Sequence, residues 1–120
     1  GNSSAEARVL GCEFDIVGST WLPTACLDKT TSDEFEAWLS SEERNPPWPF
    51  FADDSAESWI PDREALSELS NTVVYTTFEY HLGHCAFTWR RMHRSMGNRS
   101  WPSVWTTPFD HTIHCTNMLL

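Results

Sequence analysis

The sequence predicts a small, mainly α-helical single domain of about four helices, with long irregular loops and disulfide staples. The 120 residues suffice for one core but not for two. Apolar residues recur at helical spacing in several stretches, and the 4 cysteines, an even number, match two bridges. We therefore treat residues 1–120 as one domain, with an irregular segment over 1–30 and paired metal-binding helices over 76–120.

The N-terminal segment is predicted to be irregular because of its helix breakers. Glycines and Pro23 interrupt any apolar period in residues 1–30. Cys12 and Cys26 are therefore predicted to form a structural disulfide across a loop.

The middle of the chain is predicted from its caps and prolines. A first helix is expected over 32–43, because Thr31 begins a capping box and apolar residues share one face beyond it. The proline-rich stretch 46–51 should be extended and pack its aromatic rings on the core. A short helix near Pro61 and a short strand over 72–75 follow.

The third long helix is predicted to begin after Thr76, which forms a capping box with Glu79. Apolar residues then recur at steps of three and four and define a core-facing stripe. Gly97-Asn98 ends the helix. The predicted stripe consists of Phe78, Leu82, Cys85, Trp89, Met92 and Met96.

The final helix is predicted to run from His111 to about Leu119. Thr107-Pro108, just before it, has the chemistry of a helix N-cap and first position. Each of the last two helices therefore carries a His-x-x-His-Cys motif near its start.

The two motifs predict a metal site. Residues three apart lie about 60° apart around a helix, so His81 and His84 can reach one metal ion, and His111 and His114 repeat the arrangement. Imidazole is a shared ligand of copper, zinc, nickel and non-haem iron. The spacing leaves open one four-histidine site or two sites of two histidines. The fifth histidine, His93, faces nearly the opposite side of its helix and is predicted to be a surface residue.

The cysteines of the motifs allow two interpretations. Cys85 lies on the predicted apolar stripe, where a disulfide to Cys115 would clamp the two histidine pairs together. In a reducing compartment the same residues, with His81 and His111, could instead form a closed Cys2His2 zinc site. The sequons at Asn2 and Asn98 and the even cysteine count favour a secretory compartment and the bridge.

The composition excludes some partners. Hydrophobic residues make up 40% of the chain, which contains 7 Trp and 7 Phe, as a folded protein does. The formal net charge of −9 argues against nucleic acid and against docking on anionic lipid. No stretch reaches the roughly 18 to 20 apolar residues that span a bilayer. Because the chain opens at Gly1 rather than Met, a targeting or anchoring segment is expected to precede it.

The residues of the two motifs, 81–85 and 111–115, resemble the double signature of the fungal UstYa-type oxidases. Leu22-Pro23-Thr24 upstream and Trp89-Arg90-Arg91 after the first motif are similar in layout, and the resemblance covers about residues 20–120. Gly83 departs from the family, which more often has a bulkier residue there, and the Trp-Arg-Arg segment suggests a divergent branch.

The resemblance implies a copper-dependent oxidase of fungal secondary metabolites, commonly peptides. Its reaction is C–H activation that gives cyclisation, hydroxylation, desaturation or halogenation, with dioxygen or peroxide as oxidant. It implies a secreted or lumenal ectodomain, with a single-pass N-terminal anchor in the full-length protein. The oligomeric state stays open, a homodimer included. The implied metal ligands, which are also the catalytic residues, are His81, His84, His111 and His114, with Cys85 and Cys115 as structural partners.

A second hypothesis from another class is a non-enzymatic secreted module. Zinc and disulfides would then hold a small domain that recognises a partner through exposed aromatic residues. No His-Glu-x-x-His or Gly-x-Ser-x-Gly motif supports a hydrolase. Copper in an open site would favour the oxidase, and zinc in a closed site the module.

Overall fold

The computed structural model describes residues 3–69, 71–97 and 109–119, without the side chains of residues 97, 109 and 110. Five α-helices and two antiparallel two-stranded sheets occur in these ranges. The mainly α prediction is therefore correct in outline. In chain order the elements are α1 (Ser4–Val9), β1 (Cys12–Asp15), β2 (Thr20–Pro23), α2 (Lys29–Leu39), β3 (Phe50–Phe51), α3 (Arg63–Glu68), β4 (Tyr75–Thr76), α4 (Phe78–Gly97) and α5 (Phe109–Leu119).

The prediction of an irregular segment over 1–30 is wrong. Ser3 caps α1 by accepting a hydrogen bond from the backbone N–H of Glu6. β1 and β2 then form an antiparallel hairpin that pairs Phe14 with Trp21. The hairpin buries Phe14, and the turn after β1 buries Ile16 and Val17. The glycines that interrupt a helical period thus stand beside β-structure, because Gly18 lies within the turn of a hairpin.

The first long helix begins earlier than predicted. The side chain of Asp28 accepts a hydrogen bond from the backbone N–H of Thr31 and caps α2, so Thr31 is an interior residue. The helix also ends earlier, at Leu39. The stretch 46–51 is extended only at its end, in β3, because Trp48 has a positive φ of 50°; as predicted, it places Trp48 and Phe50 in the core.

The predicted stripe of α4 is only partly correct. Cys85 is fully buried, but Phe78 is 62% and Met96 is 73% exposed. The helix instead packs on α2 through Tyr80 and Phe87, whose rings both contact Phe35. The core face is therefore rotated from the predicted stripe, because the position of α2 decides which residues of α4 are covered.

The other predictions differ mainly in their boundaries. α3 begins at Arg63 with Asp62 as its N-cap, and the predicted strand over 72–75 is displaced to β4. α5 matches its predicted end, while Thr107-Pro108 and both sequon asparagines, Asn2 and Asn98, lie outside the described residues. Among the described helices, none has the length and apolar character that crossing a membrane requires.

Candidate metal centre

The two His-x-x-His-Cys motifs come together where α5 packs on α4. The rings of His84 and His111, from different helices, have centroids 6.0 Å apart and are perpendicular. Within α5, the rings of His111 and His114 have centroids 6.1 Å apart. His81 lies one turn before His84 and packs edge-on against Tyr80. Histidines that are 27 residues apart in sequence, His84 and His111, are thus neighbours, and the four form one group, the histidine cluster (His81, His84, His111 and His114).

His84 is held by a contact with the N-terminal hairpin. Its Nδ1 lies 2.7 Å from the carbonyl oxygen of Val17. A carbonyl oxygen only accepts, so Nδ1 carries the proton and Nε2 keeps its lone pair. Tyr80 stacks on the same ring, with centroids 6.2 Å apart and planes 19° apart. This arrangement fixes the tautomer that a metal ligand needs.

The surroundings of His84 also favour its neutral form. Burial lowers the pKa of His84 below its usual value of 6.5, and the hydrogen bond to Val17 opposes this effect. The nearby side chains of His111, His81 and Arg91 lower the pKa further. The imidazole is therefore neutral at neutral pH, as metal coordination requires.

Gly83 of the first motif accommodates a tryptophan from α2. A Cβ atom at Gly83 would stand 2.2 Å from the ring of Trp38, so the glycine lets the indole lie against the backbone of α4. The guanidinium of Arg44 also stacks on the indole, 3.6 Å from the centroid of the Trp38 ring. Phe35 also stacks on Trp38, with centroids 5.8 Å apart. The departure from the bulkier residue of the UstYa-type motif thus has a packing reason in this chain.

The motif cysteines meet beside the histidines. Cys85 and Cys115 are both fully buried. Burial and the hydrogen bond that the Cys85 thiol makes with Cys115 raise the pKa of Cys85 to about 12. The sulfur of Cys115 also lies 3.8 Å from Nδ1 of His111. These contacts place the two cysteines where the predicted bridge would form, although both are free thiols in the structure.

The other two cysteines are close along the hairpin. Cys12 pairs with Pro23 in the sheet register, and Cys26 ends the short 3-10 helix Thr24–Cys26 that follows. Both are partly buried free thiols. The hairpin thus brings the predicted partners into one neighbourhood without a bond between them.

The distances between the histidine rings would let two neighbouring imidazoles bind the same metal ion. With a metal–nitrogen distance of about 2.0–2.1 Å, two imidazoles on one ion have centroids about 5.2 Å apart at a tetrahedral angle, and at most about 6.4 Å apart when they face each other across the ion. The His84–His111 and His111–His114 pairs both meet this limit. Within residues 3–69, 71–97 and 109–119, however, no three His, Cys, Asp or Glu side chains are close enough to hold a metal. The imidazole donors therefore suit copper or zinc by their chemistry, two at a time. Binding of one ion by three or more ligands would require their side chains to rotate toward a common point.

Comparison with known proteins adds no relative. No protein-family model, no curated protein and no solved structure matches this chain.

Tyr80, whose ring contacts His81 and His84, also lines a cavity of about 240 Å³. Its wall includes Phe14, Phe50 and Leu69, together with Ser19, whose hydroxyl hydrogen-bonds the phenol of Tyr80. The cavity is thus mostly apolar with a few polar groups, as small-molecule pockets are. Tyr80 connects it to the histidine cluster.

Several residues that shape the site escaped the sequence analysis. Val17 acts through its backbone carbonyl, which no side-chain pattern reveals. Trp38 lies in the first long helix, where the sequence predicts only an apolar face. Gly83, inside the motif, is the signal that a large side chain approaches the backbone of α4 there. His93, predicted to be a surface residue, is exposed.

Proposed function

We propose that this protein is a copper-dependent oxidase that acts on the C–H bonds of a peptide or related secondary metabolite. The observation that supports the proposal best is the histidine cluster, in which His84 is oriented through Nδ1 and lies next to His111 of the second motif. His81, His84, His111 and His114 would hold the copper. When bound, copper supplies one-electron chemistry with dioxygen or peroxide.

The electron balance follows from the reaction class. In a cyclisation or desaturation the substrate loses two electrons and two protons, and one peroxide is reduced to two waters. The chain's own residues orient the ligands and keep the site partly dry. Tyr80 and Val17 hold His84 from two sides, and the buried thiols of Cys85 and Cys115 exclude solvent beneath the cluster.

The cavity beside Tyr80 is where we place an apolar group of the substrate. Leu69 and Phe50 line it, and Tyr80 separates it from His84. Leu69→Trp should fill part of the cavity and raise KM several-fold while the copper content stays unchanged. Val73→Trp is the matched control, because Val73 is 69% exposed and does not line the cavity. Equal KM values for the two variants would move the substrate site elsewhere.

The experiment that tests the proposal is metal analysis with electron paramagnetic resonance on protein purified without chelators. We expect copper with nitrogen hyperfine coupling, and oxidation of a peptide substrate. His81→Ala and His114→Ala should each remove most of the copper and nearly all turnover. His93→Ala should leave both close to wild type, since His93 is exposed on α4. Equal loss in all three variants would contradict the assignment.

The disulfides are part of this proposal. Cys85 and Cys115 are in hydrogen-bond contact, so a small movement would allow a bond in an oxidising, secretory compartment. Cys12 and Cys26 would form the second bridge. Peptide mapping without reductant should recover both pairs linked. Free Cys85 and Cys115 thiols that react with alkylating reagent without denaturant would contradict the bridge.

A structural zinc site is the second candidate function. It is favoured by the free, touching thiols of Cys85 and Cys115 and by the contact between Cys115 and His111. Two thiolates and two imidazoles would form a closed tetrahedral shell that stabilises a partner-binding module. One zinc per chain, with unfolding on chelation and no oxidase activity, would establish this alternative in place of the oxidase.

A further inference from the structure

Two contacts on one face of α4 tie the helix to the turn after β1. His84 donates to the carbonyl of Val17, and Arg91, seven residues later, pairs with Asp15. Seven residues correspond to about two helical turns, so both side chains leave the same face. The turn is therefore held at two points by one helix.

The second of these contacts is a buried, bidentate ion pair. Nη1 of Arg91 lies 2.8 Å from Oδ2 of Asp15, and Nη2 lies 2.7 Å from Oδ1. The side chains are 5% and 0% exposed. A planar guanidinium and a carboxylate in this geometry fix each other's orientation as well as their distance.

The carboxylate of Asp15 also shapes the turn itself. Its Oδ2 accepts a hydrogen bond of 2.9 Å from the backbone N–H of Gly18. Residues 15–18 are thereby closed into a loop with Val17 inside it. The group that anchors Arg91 thus sets the direction of the Val17 carbonyl, which in turn holds His84.

We propose that Arg91 and Asp15 are positioning residues of the candidate metal centre. Through the turn 15–18 they fix the Val17 carbonyl and keep the proton of His84 on Nδ1, so that the lone pair of Nε2 would be available to a metal. Groups that orient a histidine ligand in this way typically change metal affinity by about 10–100-fold when they are removed. The inference rests on the proposed function for its metal, but not for the orientation of His84.

The chain offers a matched pair of variants. Arg91→Lys keeps the charge and removes the bidentate geometry. Arg90→Lys makes the same change at the next residue, where the side chain is 57% exposed and pairs with Glu34 at 3.4 Å. Long-range proton–nitrogen NMR of the metal-free protein reports the tautomer of His84, and competition with a chromophoric chelator gives the Kd for copper(II).

We expect a single Nδ1–H tautomer of His84 in wild type and Arg90→Lys, with equal copper Kd values. Arg91→Lys should give a mixture of tautomers and a Kd about 10–100-fold higher. A wild-type tautomer together with a wild-type Kd in folded Arg91→Lys would overturn the proposal. If wild type shows the tautomer but binds no copper, the copper function fails, while a tautomer change in Arg91→Lys still upholds the positioning of His84.

A second variant covers the case in which Arg91→Lys does not fold. Asp15→Leu combined with Arg91→Met replaces the ion pair by apolar side chains, a change that buried pairs often tolerate. It also removes the hydrogen bond to Gly18, so His84 should again lose its single tautomer. Retention of the single tautomer and of the copper Kd in this double variant would equally overturn the proposal.

Discussion

The two halves of the histidine cluster are built in different ways. The α4 half is held by distant parts of the chain: Val17 contacts His84, and Trp38 lies against Gly83. The α5 half meets α4 through buried Cys115, while His114 and Ile113 are exposed. The first motif is thus oriented before any metal binds, and the second is brought to it by one helix–helix contact.

This difference has a consequence for metal binding. A ligand that is already oriented loses little conformational freedom on coordination, whereas an exposed one has to be ordered. We therefore expect the α4 half to determine stability and the α5 half to complete the metal shell. The predictions below test this division, from the largest expected effect to the smallest.

The largest effect is expected from the ion pair between Asp15 and Arg91, which holds α4 to the hairpin. Asp15→Ala removes the buried bidentate partner of Arg91 and the acceptor of the Gly18 N–H, which should lower the free energy of unfolding by about 3–5 kcal/mol. Glu34→Ala, which removes the partner of partly exposed Arg94, should cost within about 1 kcal/mol. Urea unfolding of the metal-free proteins measures both. Similar losses would show that burial does not distinguish the two pairs.

The next effect concerns the glycine of the first motif. Gly83→Leu would drive its side chain into the ring of Trp38 and should destabilise the fold by about 1–3 kcal/mol. Ala86→Leu is the control, because Ala86 is exposed on the same helix. Combined with Trp38→Ala, the Gly83→Leu change should cost less than it does alone. A Gly83→Leu protein as stable as Ala86→Leu would refute the close packing of α4 on α2.

A smaller effect separates the two motifs directly. His84→Ala leaves the Val17 carbonyl without its donor and should cost about 1–3 kcal/mol of the free energy of unfolding in metal-free protein. His114→Ala, at an exposed position, should change it by within about 0.5 kcal/mol. Thermal unfolding without metal provides the comparison. Equal losses of unfolding free energy would mean that the two motifs are equally well ordered in the metal-free protein.

The local signals of the sequence predicted the helices that carry the motifs. α5 ends where its periodicity indicated, and Cys85 is buried as its stripe required. The prediction of which face of α4 is buried is wrong, since Phe78 is exposed and Tyr80 is buried. The spacing of apolar residues identifies a helix, but the element that packs against the helix determines which of its faces is buried.

The contacts that orient the site could not be read from local patterns. Val17 and His84 are 67 residues apart in sequence, and Asp15 and Arg91 are 76 apart. The position of Arg91 in the second half of α4 gives no sign of its partner, which lies in a segment predicted to be irregular. Only the tertiary fold shows that this segment is a hairpin with a buried carboxylate at its turn.

The central claim is that both motifs contribute to one metal site. The most direct measurement is copper stoichiometry together with the nitrogen hyperfine pattern in wild type, His84→Ala and His111→Ala. One copper per chain, with nitrogen couplings that are lost or reduced in each variant, is the predicted result. Two coppers per chain, or a variant of one motif that leaves the signal unchanged, would contradict a shared site.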